Sequence, residues 1–174
     1  MMKKSELTNF YFMGNYRDIE IDFIKRTLAL ISQYEIGLHK YKFSEQYNYT
    51  LLINCLLGLI VLPKEKTIDC LPKNTLMDMK FRNEMGIFKT VFHADIKDLK
   101  NLIIALRHCV AHFNISVESM NADFHIDLII FKDSKKGKNY IVAKFQANEL
   151  LPFIRYYSGW LLINLKNRKN RLVT

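Results

Sequence analysis

Apolar side chains recur along most of this chain every three or four positions, the period of an amphipathic helix. From about Tyr16 to His39 the repeat runs through Ile21, Ile24, Leu28, Ile31 and Tyr34, with Arg17, Lys25, Arg26 and Glu35 between them. Ser44 can cap a second helix, which crosses the apolar run Leu51–Leu62 and stops at Pro63. Residues 63–82 hold two prolines and no clear period, which predicts an irregular connection with room for one short helix. A third helix can be capped by Asp95 and carries Ile96, Leu99, Ile103, Leu106, Val110 and Phe113 on one face. After Asn114 the pattern changes. "FHIDLIIFKD" and "YIVAKF" are short, β-branched and aromatic, and with "SKKGKN" between them they predict a β-hairpin. A last helix, from about Ala147 to Lys166, repeats through Leu150, Leu151, Ile154, Tyr157, Leu161 and Ile163 and runs into the basic tail "KNRKNRLVT". The expected fold is therefore mainly all-α, an antiparallel helical bundle with a β-hairpin inserted before the C-terminal helix. No repeat or linker divides residues 1–174, so a single domain is expected.

Composition narrows the class. Apolar residues make up 49% of the chain, and 6 glycines and 3 prolines are few, which argues against disorder and fibrous repeats. The run Leu51–Leu62 is well short of the roughly 20 residues needed to span a bilayer and contains Asn54 and Gly58, so a buried helix and no membrane contact are expected. The start, "MMKKSELTNF", lacks the apolar stretch of a signal peptide. Cys55, Cys70 and Cys109 are odd in number and form no CxxC pair, which fits a reducing, cytoplasmic setting. The formal charge of +9 changes the picture more, because clustered cations gain from releasing the counterions around a polyanion such as RNA.

One hexapeptide, "RHCVAH" at residues 107–112, concentrates candidate chemistry. Two accounts compete. Cations near a helix C-terminus stabilise the macrodipole by roughly 0.3–1 kcal/mol each, and the pairing of arginine with a nearby histidine is common by chance. Helical geometry adds something more specific. At about 100° per residue Arg107 falls on the flank of the apolar face, whereas His108 and His112 lie together on the opposite side. Their neighbours there, Asn101, Ile104 and Ala105, are uncharged, unlike the solvent-facing Lys97, Asp98 and Lys100. Such a surface suits a contact, with another helix or with a second copy of the chain. Zinc binding by the histidine pair would want a glutamate where Cys109 stands, and Cys70, His93 and His125 stand apart in the sequence, so neither a metal nor a cofactor is expected.

Arginine and histidine without carboxylates suit RNA cleavage. The ribose 2′-hydroxyl is a built-in nucleophile; it needs a base, an acid for the leaving 5′-oxygen, and a cation at the phosphate. Histidine can be the base and the acid, and arginine can grip two phosphate oxygens at once. "LRHCVAHFNI" resembles the HEPN superfamily, whose mark is an arginine, often followed by a polar residue, with a histidine after four to six intervening positions. "NFYFMGNYRDIEIDFIKRTLALI" and "YNYTLLINCLLGLIVLPKE" resemble a plasmid-borne subfamily of small stand-alone HEPN proteins.

That resemblance implies a HEPN-like helical bundle that dimerises and a metal-independent endoribonuclease site composed of both copies of the motif. It implies Arg107 at the phosphate, His112 as acid or base and His108 in support, and the uncharged surface of Asn101, Ile104 and Ala105 is then the expected dimer contact. A role in phage defence or toxin–antitoxin conflict, with an antitoxin or other protein partner, follows from the same likeness. The alternative it leaves is a non-catalytic HEPN module that binds RNA, nucleotide or a protein partner. Elsewhere, Lys135, Lys136 and Lys138, the tail from Lys166 to Arg171, and Trp160 within "FIRYYSGW" are expected to be solvated charge and core aromatic side chains.

Overall fold

The computed structural model describes residues 16–42, 45–61, 71–72, 74–120, 126–135 and 137–173. Helix α1 (Ile19–Gly37) starts where Asp18 accepts hydrogen bonds from the amides of Glu20 and Ile21, at 3.1 and 3.2 Å. It buries Ile24, Thr27 and Ile31 and ends in a 3₁₀ turn, Leu38–Lys40. Helix α2 (Asn48–Val61) is apolar nearly all round and buries Leu52, Cys55, Leu56, Leu59 and Ile60. Its expected signals, Ser44 and Pro63, fall outside the described residues, as do Cys70, His125 and Lys136. A short helix, α3 (Met79–Met85), does interrupt the irregular connection, capped by Asp78.

Helix α4 (Leu99–Ala111) carries the hexapeptide, and α5 (Leu150–Val173) follows a 3₁₀ turn at Ala147–Glu149. Helix α5 is longer than its apolar repeat suggests, because the basic tail stays helical. Phe153, Ile154, Tyr157, Leu161 and Leu165 bury one stripe of it. An ion pair between Arg155 and Glu35, 2.6 Å apart and partly exposed, ties α5 to α1. Among the described residues no helix is long and apolar enough to cross a membrane.

The all-α expectation is overturned. Strands β1 (Val91–Phe92), β2 (Ile115–Glu118), β3 (Leu128–Lys135) and β4 (Lys138–Gln146) form a four-stranded antiparallel sheet in the order β1-β4-β3-β2, so the fold is mixed α and β. The hairpin β3–β4 sits where the sequence places it. Its two edges recruit the other strands, and those are four and two residues long, too short to leave a pattern of their own. One face of the sheet packs Ile129, Phe131, Ala143 and Phe145 into the same core as the helices; the Phe145 ring lies 5.8 Å from Phe131 and 5.4 Å from Phe153.

The pairing slips once. Phe131 faces Ala143, but Lys132 faces Ile141, which leaves Val142 as an extra residue in β4. Beyond this bulge Asp133 faces Tyr140, so Tyr140 takes the helix side of the sheet and Ile141 turns to solvent, 44% exposed.

Helix α3 ends at Gly86, whose φ of 71° is left-handed. A Cβ added there would also stand 2.3 Å from Cβ of Pro152 in α5. Gly86→Ala should therefore lower stability by about 1–3 kcal/mol or more, from backbone strain plus the clash, and urea unfolding would measure it.

Candidate functional site

Helix α4 begins at Leu99 with Asp98 as its cap, not at Ile96 with Asp95. Asp98 accepts from the Asn101 amide at 2.7 Å and from Asn101 Nδ2 at 3.2 Å. The chain before it is held in other structure: Ile96 N–H closes a turn on His93, Leu76 N–H donates to Lys97, and Thr75 bridges to Asp98. The buried face is Leu99, Leu102, Ile103, Leu106 and Cys109, all at 0% exposure. Val110 is only half-buried and Phe113 is 81% exposed, so the inward stripe is rotated towards Leu102 and Cys109 relative to the expected one.

The C-terminus of α4 closes with the two bonds of a Schellman turn: Asn114 N–H to the Cys109 carbonyl at 2.8 Å, and Phe113 N–H to the Val110 carbonyl at 3.0 Å. His112 is the capping residue, with φ −100° and ψ 5°. Phe113 takes the left-handed position usually held by glycine, at φ 53°.

The predicted site residues divide into those the structure brings together and those it does not. His108 and His112 are both exposed, and their rings meet edge to face with centroids 4.4 Å apart. Arg107 is half-buried on the flank, and its side chain makes no hydrogen bond or ion pair with another described residue. Its charge is felt by Tyr157 of α5, whose phenol burial pushes up and Arg107 partly draws back down. Among the described residues no side-chain hydrogen bond, ion pair or ring contact joins Arg107 to either imidazole.

Of the three interface candidates, Asn101 and Ile104 are exposed, Ile104 to 49%, whereas Ala105 is half-buried against the core. Cys109, on the buried face, is pushed up to about 12, first by desolvation and then by the charge of Asp133, so it stays a neutral thiol. Among the described residues no three histidine, cysteine or acidic side chains are grouped to hold a metal ion.

Sequence spacing gave no hint of the groups behind His108. Asp133 of β3 places Oδ1 3.3 Å from His108 Nε2. The side chain of Asp133 is only 14% exposed, and its other oxygen accepts from the Tyr140 hydroxyl at 3.2 Å. Tyr140 in turn packs on the ring of His93, centroids 4.7 Å apart. Asp133 thus lies 25 residues from His108 in sequence and next to it in space. The only trace was an acidic residue closing an apolar strand.

Residues 13–168 match the family model HEPN pEK499 p136. The chain belongs to this HEPN family. The match covers all five helices named above up to residue 168 and every strand, so the sheet lies within the family's span. No curated protein and no solved structure matches the chain. In HEPN terms the segment Arg107–His112 is the candidate motif. Its histidines end α4 on a strained turn, since a bulky residue at positive φ costs about 1–3 kcal/mol. Phe113→Gly should accordingly raise stability by about 1 kcal/mol without changing the helical circular dichroism; a loss of stability would show that the exposed ring makes contacts worth more than the strain.

Proposed function

We propose that this HEPN protein is a metal-independent endoribonuclease that acts as a homodimer. The observation that carries the reading is the exposed, ring-to-ring pair His108 and His112 on the helix that also presents Arg107, whose guanidinium makes no ion pair among the described residues. In this reading an imidazole takes the proton from the ribose 2′-hydroxyl, whose oxygen attacks phosphorus. The bond to the 5′-oxygen breaks, and that oxygen takes a proton from a second imidazole. Arg107 donates to the phosphate oxygens as charge builds on them. His112 is the acid or base, and Asp133 holds His108 in place beside it. A part in phage defence or toxin–antitoxin conflict rests on the family likeness alone.

A second copy is needed for two reasons. The two imidazoles of one chain stand side by side and approach a phosphate from the same side, whereas base and acid must reach oxygens roughly in line on opposite sides of phosphorus. Arg107 also makes no side-chain hydrogen bond, ion pair or ring contact with either imidazole among the described residues. Pairing two α4 helices through Asn101 and Ile104 would bring both motifs to one cleft and cover the exposed Ile104.

The reading is tested by incubating purified protein with single-stranded RNA in EDTA. Cleavage should persist and leave 2′,3′-cyclic phosphate and 5′-hydroxyl ends; activity that EDTA abolishes and a divalent metal restores would overturn the mechanism. His112→Ala should cost at least about a hundredfold in kcat, and Arg107→Lys should also be badly impaired because an ammonium cannot make the two-point contact. Asp133→Asn should lower kcat by less, with KM unchanged, and Asp133→Glu should recover part of the loss. Ile104→Glu is a cleaner probe of the dimer than Ala105→Glu, since Ala105 also packs on the core. It should give helical monomers without activity, and a demonstrated monomer that still cleaves would refute the shared site.

A further inference from the structure

A second basic surface begins one side chain beyond the Asp133–Tyr140 pair. His93, packed on Tyr140, forms part of the wall of a cleft of about 620 Å³ between α3 and β1. This lies within the roughly 300–1,000 Å³ of small-ligand clefts. Arg82, Lys89 and Lys97 also line it, and among the described lining residues there is no aspartate or glutamate. Asp95, which approaches His93 Nδ1 at 3.7 Å, is largely exposed and outside the wall.

The wall is built rather than loose. Arg82 donates from Nε to the Ile87 carbonyl at 3.2 Å and from a terminal nitrogen to the Thr90 carbonyl, with its guanidinium 5.2 Å from the centre of the Phe92 ring. Behind it the buried carboxylate of Glu149 accepts from the Lys89 amide at 2.7 Å and from the Thr90 hydroxyl at 2.6 Å. The backbone of Lys89 is therefore pinned while its ammonium reaches out, 5.7 Å from the exposed ring of Phe88. Phe88 and Val91 are 48% and 61% exposed, so large apolar groups stand open beside the held guanidinium of Arg82 and the ammonium groups of Lys89 and Lys97.

Cations without carboxylates call for an anion, and an open aromatic ring calls for a flat partner. A nucleotide of single-stranded nucleic acid supplies both, its phosphate to Lys89, Lys97 and Arg82 and its base to Phe88. The geometry points to this cleft as a subsite for a nucleotide of the RNA strand that the motif cuts, flanking the scissile phosphate. The inference rests on the ribonuclease reading for the identity of the strand, and on the continuous wall His93–Tyr140–Asp133–His108 for its path to the motif.

The test separates binding from cleavage. A fluorescent single-stranded RNA with every ribose 2′-O-methylated cannot supply the nucleophile, so anisotropy reports affinity alone. The double variant Lys89→Gln/Lys97→Gln should raise Kd about tenfold or more and reduce the slope of log K against log salt by about 1.4, about 0.7 for each phosphate contact on a single strand. Phe88→Ala should raise Kd about fivefold to a hundredfold. All three positions except the backbone of Lys89 are exposed, and unchanged melting curves confirm that the fold is kept. Lys25→Gln, which removes one exposed positive charge on α1, should leave Kd and slope as they are.

Wild-type Kd and slope in the double variant would overturn the subsite. Binding of adenosine or uridine monophosphate that is lost in Phe88→Ala, without any effect of that variant on the RNA strand, would overturn it too, because the cleft would then serve a free nucleotide. If unmodified RNA is never cleaved while the cleft variants still lose binding, the ribonuclease reading falls and the cleft stands only as a binding subsite for single-stranded RNA.

Discussion

Helix α4 must do two things with thirteen residues, and the first of them governs the second. Its inner face, from Leu99 to Cys109, is packed between α2 and the β3–β4 hairpin with no exposed surface. Full burial of a leucine or isoleucine contributes roughly 1.5–3 kcal/mol, while a cation at a helix end contributes roughly 0.3–1 kcal/mol. With four such side chains fixed, the core decides how the helix is turned. The direction in which Arg107, His108 and His112 point is a consequence. A change that rolled α4 about its axis would have to expose Leu102 or Cys109 before it could move the histidines.

The sheet then supplies what the helix lacks. A strand paired without interruption would put Ile141 on the same side as Ala143 and Phe145, facing α4, and leave no hydroxyl near Asp133. The extra residue at Val142 reverses the alternation, so that Tyr140 faces Asp133 and the pair meets the outer edge of α4 at His108. Bulges of this kind commonly re-aim side chains beside functional sites. The carboxylate of Asp133 is thus shared by the sheet, which it joins to Tyr140, and by the motif, which it meets at His108.

How much of this the sequence makes legible follows from the length of each pattern. Helices α1, α4 and α5 each bury a stripe over several turns and their periods are plain, while α2 shows as one long apolar run. The hairpin is plain as well, since β-branched and aromatic residues crowd both strands. Strands β1 and β2 are not, because a pair such as Val91–Phe92 becomes a strand only by bonding to an edge that exists in three dimensions. The start of α4 misleads for a related reason: Asp95 and Asp98 are both adequate caps, and the choice between them is made by the bonds from Leu76 and Thr75 to the segment before Leu99. At the candidate site, the neighbourhood of His108 and His112 is a local property of helical spacing and can be read directly. Asp133 cannot, since its approach depends on a hairpin register and a one-residue bulge.

The turn that ends α4 bears on how a shared site could be assembled. An uninterrupted helix would place Arg107 and His112 about 140° apart and roughly 7.5 Å apart along the axis. The helix stops at Ala111, but the His112 N–H still closes the last helical bond on the His108 carbonyl at 3.2 Å, so the two imidazoles meet at the helix end while Arg107 stays on the flank. Left-handed backbone at Phe113 is the condition for that turn, and the chain holds it there without glycine. From Asn114 onward the same turn feeds β2 into the sheet, beginning with the bond from Lys132 N–H to the Asn114 carbonyl. One reversal of direction thus sets the end of the motif and starts the edge strand, so the pose of His112 and the packing of the sheet are adjusted together. In the proposed homodimer joined along Asn101 and Ile104, each copy would meet its partner's Arg107 with a histidine pair of which His108 is already tied to its own sheet through Asp133.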